Sequence, residues 1–369
     1  MDLDLLISEL VAGKTAALAR AISVVENARP GFERLLGEVH RSLGRARRIG
    51  ITGPPGAGKS TLLERLVTHY RSVGIKVAVV AVDPTSPFTG GALLGDRIRM
   101  ESVALDQGVY IRSMATRGSL GGLATTTREV CDLFDAAGFD RILVETVGVG
   151  QSELDVARMA DTTVLVLVPE SGDGIQTLKS GVMEVADIFV VNKADRTGAD
   201  KLRHEIEVTL DIRRGNAFRN MPAHHGVRAE GQAVRRKGGR ISARRANTEE
   251  VSAPGDGATA VPPFRPIVWN QPVVLTTAVK NEGVTDLVTA LDAHHEWLSR
   301  SGELDVRRRR RVLERTREVV ERATRRWLWD ETRAEQLISD RLDDIAAGQL
   351  SPYELATEVL EDLKQGERI

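Results

Sequence analysis

Cysteine is all but missing from this 369-residue chain. Cys131 stands alone, which rules out an internal disulfide framework and fits a reducing, cytoplasmic setting. There is no Cys-x-x-Cys pair and no histidine-rich tract, so nothing reads as a segment for carrying metal ions. Long apolar runs are missing too. No stretch approaches the roughly 18 apolar residues of a transmembrane helix, and no membrane partner is expected. Met1-Asp2-Leu3-Asp4 lacks the basic start and apolar run of a signal peptide. Charge of one sign is also lacking. Lys+Arg total 51 against 52 Asp+Glu, a net charge of −1, so the overall field favours no polyanionic partner. Aromatic residues are few, at 4%, but a hydrophobic content of 41% suffices for a sizeable core. The length allows one large α/β domain with appendages, or two domains.

What is present is organised around residues 49–61, Ile-Gly-Ile-Thr-Gly-Pro-Pro-Gly-Ala-Gly-Lys-Ser-Thr. A short apolar run leads into Gly53-Pro54-Pro55-Gly56-Ala57-Gly58-Lys59-Ser60, and Thr61-Leu62-Leu63-Glu64-Arg65-Leu66 continues at helical spacing. Strand, glycine loop and helix in that order make a phosphate-binding P-loop. Gly56 and Gly58 let successive backbone N–H groups turn toward phosphate oxygens, and the helix opening near Lys59 adds the positive end of its dipole. Lys59 is expected to reach the β- and γ-phosphates, and the Ser60 hydroxyl to ligate Mg²⁺.

Around that loop, near-continuous apolar runs alternate with helical patterns, which predicts a doubly wound, mostly parallel α/β sheet. Strands are expected at 47–52, 76–82, 108–112, 141–145, 163–168, 187–191 and 273–277. Ligands of such sheets bind beyond the carboxyl ends of the strands, and the polar motifs fall there. Asp83 ends the second strand, and Asp96 follows a glycine-rich loop. Both suit a Mg²⁺ site, and both suit plain turns beside Pro84 and Gly95. Arg141 to Glu145 is an apolar strand closing on a carboxylate, the Walker B arrangement, with Gly148 placed to offer its N–H to a γ-phosphate. Gln151 could orient the attacking water or serve as an ordinary loop residue. Asn192-Lys193-Ala194-Asp195 points to guanine. A carboxylate at 195 can accept from both N1–H and the exocyclic amine, and adenine offers no such pair. Thr277-Ala278-Val279, ending the last strand, could give a backbone N–H to the guanine O6 or merely join strand to helix.

With these elements in place, the chain resembles the methylmalonyl-CoA mutase-associated GTPases, the MeaB/ArgK type. The likeness rests on long stretches. They are Val82-Asp83-Pro84 with Gly90-Gly91-Ala92-Leu93-Leu94-Gly95-Asp96-Arg97-Ile98-Arg99-Met100, and Arg117-Gly118-Ser119-Leu120-Gly121-Gly122. Glu145-Thr146-Val147-Gly148-Val149-Gly150-Gln151-Ser152-Glu153 and Gly172-Asp173-Gly174-Ile175-Gln176-Thr177-Leu178-Lys179-Ser180-Gly181 extend it. The resemblance implies a P-loop GTPase that hydrolyses GTP to GDP and phosphate. It would act as chaperone for cofactor loading and protection of an adenosylcobalamin-dependent acyl-CoA mutase. By position it implies Ser60, Asp83, Asp96 and Glu145 as the Mg²⁺ site. Asp173, Gln176 and Lys179 match a switch segment that reorganises on mutase binding, Lys179 meeting the transition-state charge. It also implies a homodimer clasped through C-terminal helical arms. No cobalamin site is visible in the chain. Two rivals remain: a metallochaperone GTPase for metal-centre assembly, which the missing Cys and His tracts argue against, and a P-loop small-molecule kinase, which Asn192 to Asp195 argues against.

Three regions follow: a helical N-terminal extension over 1–44, a P-loop GTPase domain over 45–300 and a helical dimerisation arm over 301–369. Within the second lies a basic insertion, 213–266. From Arg213 to Arg245 its charges are basic apart from Glu230, and with little to bury it is expected to be flexible. It is either a passive insertion or an arm that docks a partner; with Phe218 the lone aromatic among the charges of 213–245, nucleic acid is the less favoured partner. His294-His295, adjacent on a helix, cannot face one metal and read as surface and packing residues. Arg307 to Arg311, followed by Val312, Val319 and Val320, predicts a long amphipathic helix with a solvated basic face. Trp327, Trp329, Leu337, Ile338, Leu342, Ile345 and Leu350 add apolar surface that meets a partner or packs back on its own domain.

Overall fold

The computed structural model describes residues 2–83, 100–115, 122–146, 152–169, 182–214 and 268–366. Seven strands form one sheet: β1 (Arg47–Thr52), β2 (Val77–Asp83), β3 (Val109–Ala115), β4 (Arg141–Thr146), β5 (Thr162–Leu167), β6 (Ile188–Asn192) and β7 (Val273–Thr276). Their order is β3-β2-β4-β1-β5-β6-β7 and every pairing is parallel, where the sequence predicted a mostly parallel sheet. Successive residues bury opposite faces, as the strand pleat dictates. Ala78, Val80 and Val82 join Ile142 and Val144 in one core, while Val77, Val79 and Leu143 belong to the other.

Helices cover both faces. α1 (Leu3–Val11), α2 (Thr15–Glu26) and α3 (Phe32–Val39) bury Leu10, Leu18, Ile22 and Leu35 on the first. Asp2 caps α1 by accepting from Asp4 and Leu5 N–H, and Gly31 (φ 91°) supplies the break before α3. α4 (Lys59–Ser72) leaves the P-loop and packs Leu62, Leu63 and Leu66 on the second face. The remaining α-helices of five or more residues are α5 (Gly122–Ala136), α6 (Ser152–Met159), α7 (Ala199–Arg213), α8 (Val284–Ser301), α9 (Glu303–Arg326), α10 (Ala334–Asp340), α11 (Leu342–Ala346) and α12 (Pro352–Gly366). Among the described residues, no helix is long and apolar enough to cross a membrane.

The basic face of α9 is only partly solvated: Arg309 and Arg310 are exposed as expected, while a second row of arginines turns inward. That row lies across the amino-terminal edge of the sheet, where buried carboxylates demand partners. Arg307 donates to both Asp187 oxygens (2.9 and 3.0 Å), Arg311 to Asp161 (2.5 Å) and Arg322 to Glu129 (3.0 Å), while Arg315 meets Asp132. Burial pushes the Asp161 carboxyl up, but Arg311 and Arg308 outweigh it and hold the group at about 2. The apolar residues Val312, Leu313 and Val320 are exposed as well, each roughly half accessible.

Of the adjacent histidines, His294 is the packing residue, fully buried with Nδ1 2.8 Å from Thr162 Oγ1 and Nε2 3.3 Å from Asp187 Oδ1, while His295 is half-buried. Trp297 stacks on the His294 ring and Trp269 lies tilted beside it. In the tail, Leu337, Ile338, Ile345 and Leu350 close round Ala334, Leu355 and Val359 of α10 and α12 in a small core of their own. Leu342 and Trp329 stay exposed.

Candidate active site

The P-loop joins β1 to α4. Gly53, Gly56 and Gly58 take left-handed φ values of 139°, 74° and 86°. A Cβ on Gly53 would run into the Val166 carbonyl of β5, and one on Gly58 into the Asn192 amide of β6. Glycine is what lets the loop lie against the ends of both strands. Pro55 and Gly56 form its exposed crest, Ala57 N–H turns back to Pro54 O at 3.2 Å, and Thr61 follows within α4. Lys59 is buried, and its Nζ donates to Gly53 O (2.8 Å) and Pro54 O (3.0 Å). The ammonium therefore sits on the loop's own carbonyls, beside the amino end of α4, where a phosphate oxygen could replace them.

Ser60 Oγ donates to Glu145 Oε1 at 2.7 Å. Glu145 is buried between its register partners Ile51 of β1 and Ala81 of β2. Asp83 stands two residues beyond Ala81 at the same carboxyl edge. A hydroxyl and a carboxylate side by side are hard oxygen donors, the set that Mg²⁺ prefers. Asp96, Gly148, Gln151, Asp173, Gln176 and Lys179 lie outside the described residues.

At the other end of the site, Asn192 is buried, with both the nitrogen and the oxygen of its amide hydrogen-bonded. Nδ2 donates to Ala57 O at 2.8 Å, while Oδ1 accepts from Thr276 Oγ1 and Ala278 N–H, both at 3.1 Å. It ties the P-loop to the turn after β7. Lys193 (φ 56°) then swings the chain outward and sets Asp195 at the surface, 3.3 Å from Lys280 Nζ.

The turn Ala278–Lys280 has its own internal order. The amides of Thr277, Ala278 and Lys280 donate to Glu282 O, Asn192 Oδ1 and Thr277 O. Among the described residues, Val279 N–H has no protein acceptor. Of the three residues expected to face the guanine O6, Val279 is the one whose amide is left for it. Arg65 of α4 holds the same turn by its carbonyls, donating to Ala278 O (3.1 Å) and Val279 O (3.3 Å). Sequence reasoning passed over the contact of Arg65, because it belongs to no motif; only the approach of α4 to the turn reveals it. Two cavities of about 910 and 530 Å³ lie elsewhere, beside α9 at the amino-terminal edge of the sheet.

The family model of the methylmalonyl Co-A mutase-associated GTPase MeaB matches residues 18–333. A protein of Pyrococcus abyssi (strain GE5 / Orsay), a GTPase by its name, is 43% identical over 318 residues, covering 86% of this chain and 84% of that one. The mitochondrial methylmalonic aciduria type A homolog of Mus musculus is 34% identical over 319 residues, 83% of this chain and 66% of its own. Among solved structures, an LAO/AO transport system kinase superposes with a TM-score of 0.61 at 26% identity, covering 98% of this chain and 97% of its own. The P-loop, the strand-borne Glu145 and the Asn192–Asp195 turn share one edge of the sheet, and the family match spans all three. The chain belongs to the methylmalonyl-CoA mutase-associated GTPases, the MeaB family of P-loop enzymes that hydrolyse GTP.

Proposed function

We propose that this GTPase works with Mg²⁺ held by Ser60 and Glu145, and that it gates cofactor loading and protects an adenosylcobalamin-dependent acyl-CoA mutase. The match of residues 18–333 to a family named for its association with methylmalonyl-CoA mutase carries the reading. On GTP binding, Lys59 exchanges the Gly53 and Pro54 carbonyls for β- and γ-phosphate oxygens. Ser60 and Glu145, joined by Asp83 and Asp96, would supply oxygen ligands to Mg²⁺, which would offset charge on the phosphate oxygens. Asp195 reads the guanine N1–H and amine, and the Val279 amide its O6.

Hydrolysis adds a water oxygen to the γ-phosphorus as the bond to the β-phosphate oxygen breaks, and inorganic phosphate carries the proton away. Gln151 orients that water and Gly148 N–H senses the γ-phosphate. Asp173, Gln176 and Lys179 complete the site when the mutase binds, Lys179 stabilising the charge that develops. The chain acts in the cytoplasm as a homodimer through residues 301–369, with the basic insertion 213–266 as part of the sequence of the domain of residues 45–300 and residues 1–44 as its helical extension.

The test is phosphate release from GTP alone and with purified methylmalonyl-, isobutyryl-, 2-hydroxyisobutyryl- and ethylmalonyl-CoA mutases. Stimulation by one of them names the client. GTP turnover that no mutase changes overturns the chaperone role and leaves the GTPase. Lys179→Ala is expected to lower stimulated hydrolysis far more than GDP affinity; equal losses would refute its role.

A further inference from the structure

Arg65 grows from the phosphate-binding helix, six residues after Lys59, yet its guanidinium reaches the opposite end of the site. Nε donates to Ala278 O at 3.1 Å, and a terminal nitrogen to Val279 O at 3.3 Å. Among the described residues no carboxylate lies within ion-pair distance of it, so its charge is directed at two consecutive backbone carbonyls. The Ala278 carbonyl and the Val279 N–H belong to one peptide group. A cation hydrogen-bonded to the carbonyl draws electron density from that group and strengthens its N–H as a donor. The neighbouring peptide is fixed from the other side, because Ala278 N–H donates to Asn192 Oδ1 at 3.1 Å. The Thr277–Glu282 bridge closes the turn behind it. The Ala278–Val279 peptide is thus held in place with its N–H unclaimed by protein among the described residues.

We propose that Arg65 is a positioning residue for base selection, orienting and polarising the Ala278–Val279 peptide so that Val279 N–H receives the 6-keto oxygen of guanine. This rests on the guanine-site reading above. Adenine carries an amine at that place and would set donor against donor, so the contact adds to the discrimination made at Asp195. One helix then holds both ends of the nucleotide: Lys59 at its start takes the phosphates, and Arg65 further along holds the base turn.

The experiment compares wild type with Arg65→Met, Arg65→Lys and Asp195→Asn in steady-state hydrolysis of GTP, ATP and 6-thio-GTP. The thio analogue keeps N1–H and the exocyclic amine but offers a poor acceptor at C6. Wild type is expected to penalise it. Arg65→Met is expected to raise KM for GTP about tenfold with kcat within about twofold, and to shrink the thio penalty. Arg65→Lys, which keeps the charge, is expected to recover part of both. A variant that melts early is still decided by its GTP to 6-thio-GTP ratio of kcat/KM, because both values come from one enzyme. An unchanged ratio in Arg65→Met overturns the proposal. Wild type that prefers GTP no more than ATP, or Asp195→Asn that keeps the full GTP preference, overturns the guanine-site reading instead.

Discussion

The side-chain amide of Asn192 donates to the Ala57 carbonyl across 2.8 Å, so a residue at the end of β6 holds the P-loop in place. Its oxygen meanwhile holds the turn after β7 through Thr276 and Ala278. Removing it strands three buried polar groups together, at about 1–3 kcal/mol each in the worst case. Asn192→Ala is expected to lower the melting temperature and to weaken GDP binding more than tenfold. Calorimetric titration beside a thermal scan checks both, and tight GDP binding in a destabilised variant would show that Asn192 supports the fold without shaping the site.

Glu145→Gln keeps the shape of the side chain and removes its charge. With Ser60 Oγ 2.7 Å away as its partner, GTP hydrolysis at saturating Mg²⁺ is expected to drop about a hundredfold. Half-saturation by Mg²⁺ should move to higher concentration, while GDP binding in chelator changes little. A Mg²⁺ titration of phosphate release reads this directly; an unmoved midpoint would remove Glu145 from the metal site.

Lys59→Ala exposes the Gly53 and Pro54 carbonyls that the ammonium now covers. Two charge-assisted bonds to phosphate are lost, so GTP and GDP affinities should each fall about a hundredfold. Guanosine affinity should hold, since the base end is untouched. Equal losses for guanosine and GTP would point to a collapsed loop.

Asp161 governs behaviour in acid. Its folded pKa of about 2 lies below the ordinary 3.8, so its contribution is complete above pH 4 or so and fades as pH falls toward about 2. Asp187 is lowered too, with burial opposing and His294 and Arg307 prevailing. Asp161→Asn leaves Arg308 and Arg311 beside a neutral group, and a loss of about 3 kcal/mol at pH 7 is expected. The acid transition between about pH 4 and pH 2 should flatten in the variant. Denaturant titrations followed by tryptophan fluorescence at several pH values test this, and an unaltered acid limb would discount the cluster.

Much of the framework could be read from residue order. Apolar runs such as Val77 to Val82 are buried on both faces, and each expected strand is present at close to its expected place. The P-loop and Glu145 carried their own signal, because phosphate and metal chemistry restrict residue types at fixed spacing. What escaped was relational. Arg307 to Arg322 look like a water-facing stripe until Asp161, Asp187, Asp132 and Glu129, scattered over α5 and the starts of two strands, gather at one edge. Asn192 was singled out with the base motif, yet its partners at 57, 276 and 278 belong to other elements and no local pattern announces them. Arg65 was hidden for the same reason, since a backbone carbonyl leaves no mark on sequence.

The arginine clasp at the sheet edge has a mechanical meaning. β5 starts one residue after Asp161 and reaches Val166, the wall against Gly53; β6 starts one residue after Asp187 and ends at Asn192. Each strand is a stiff strut of roughly 17 Å, bolted to α9 at one end and abutting a nucleotide loop at the other. The helix that carries the exposed Val312, Leu313 and Val320 is thus the same one that anchors the two strands whose far ends meet Gly53 and the Asn192 turn.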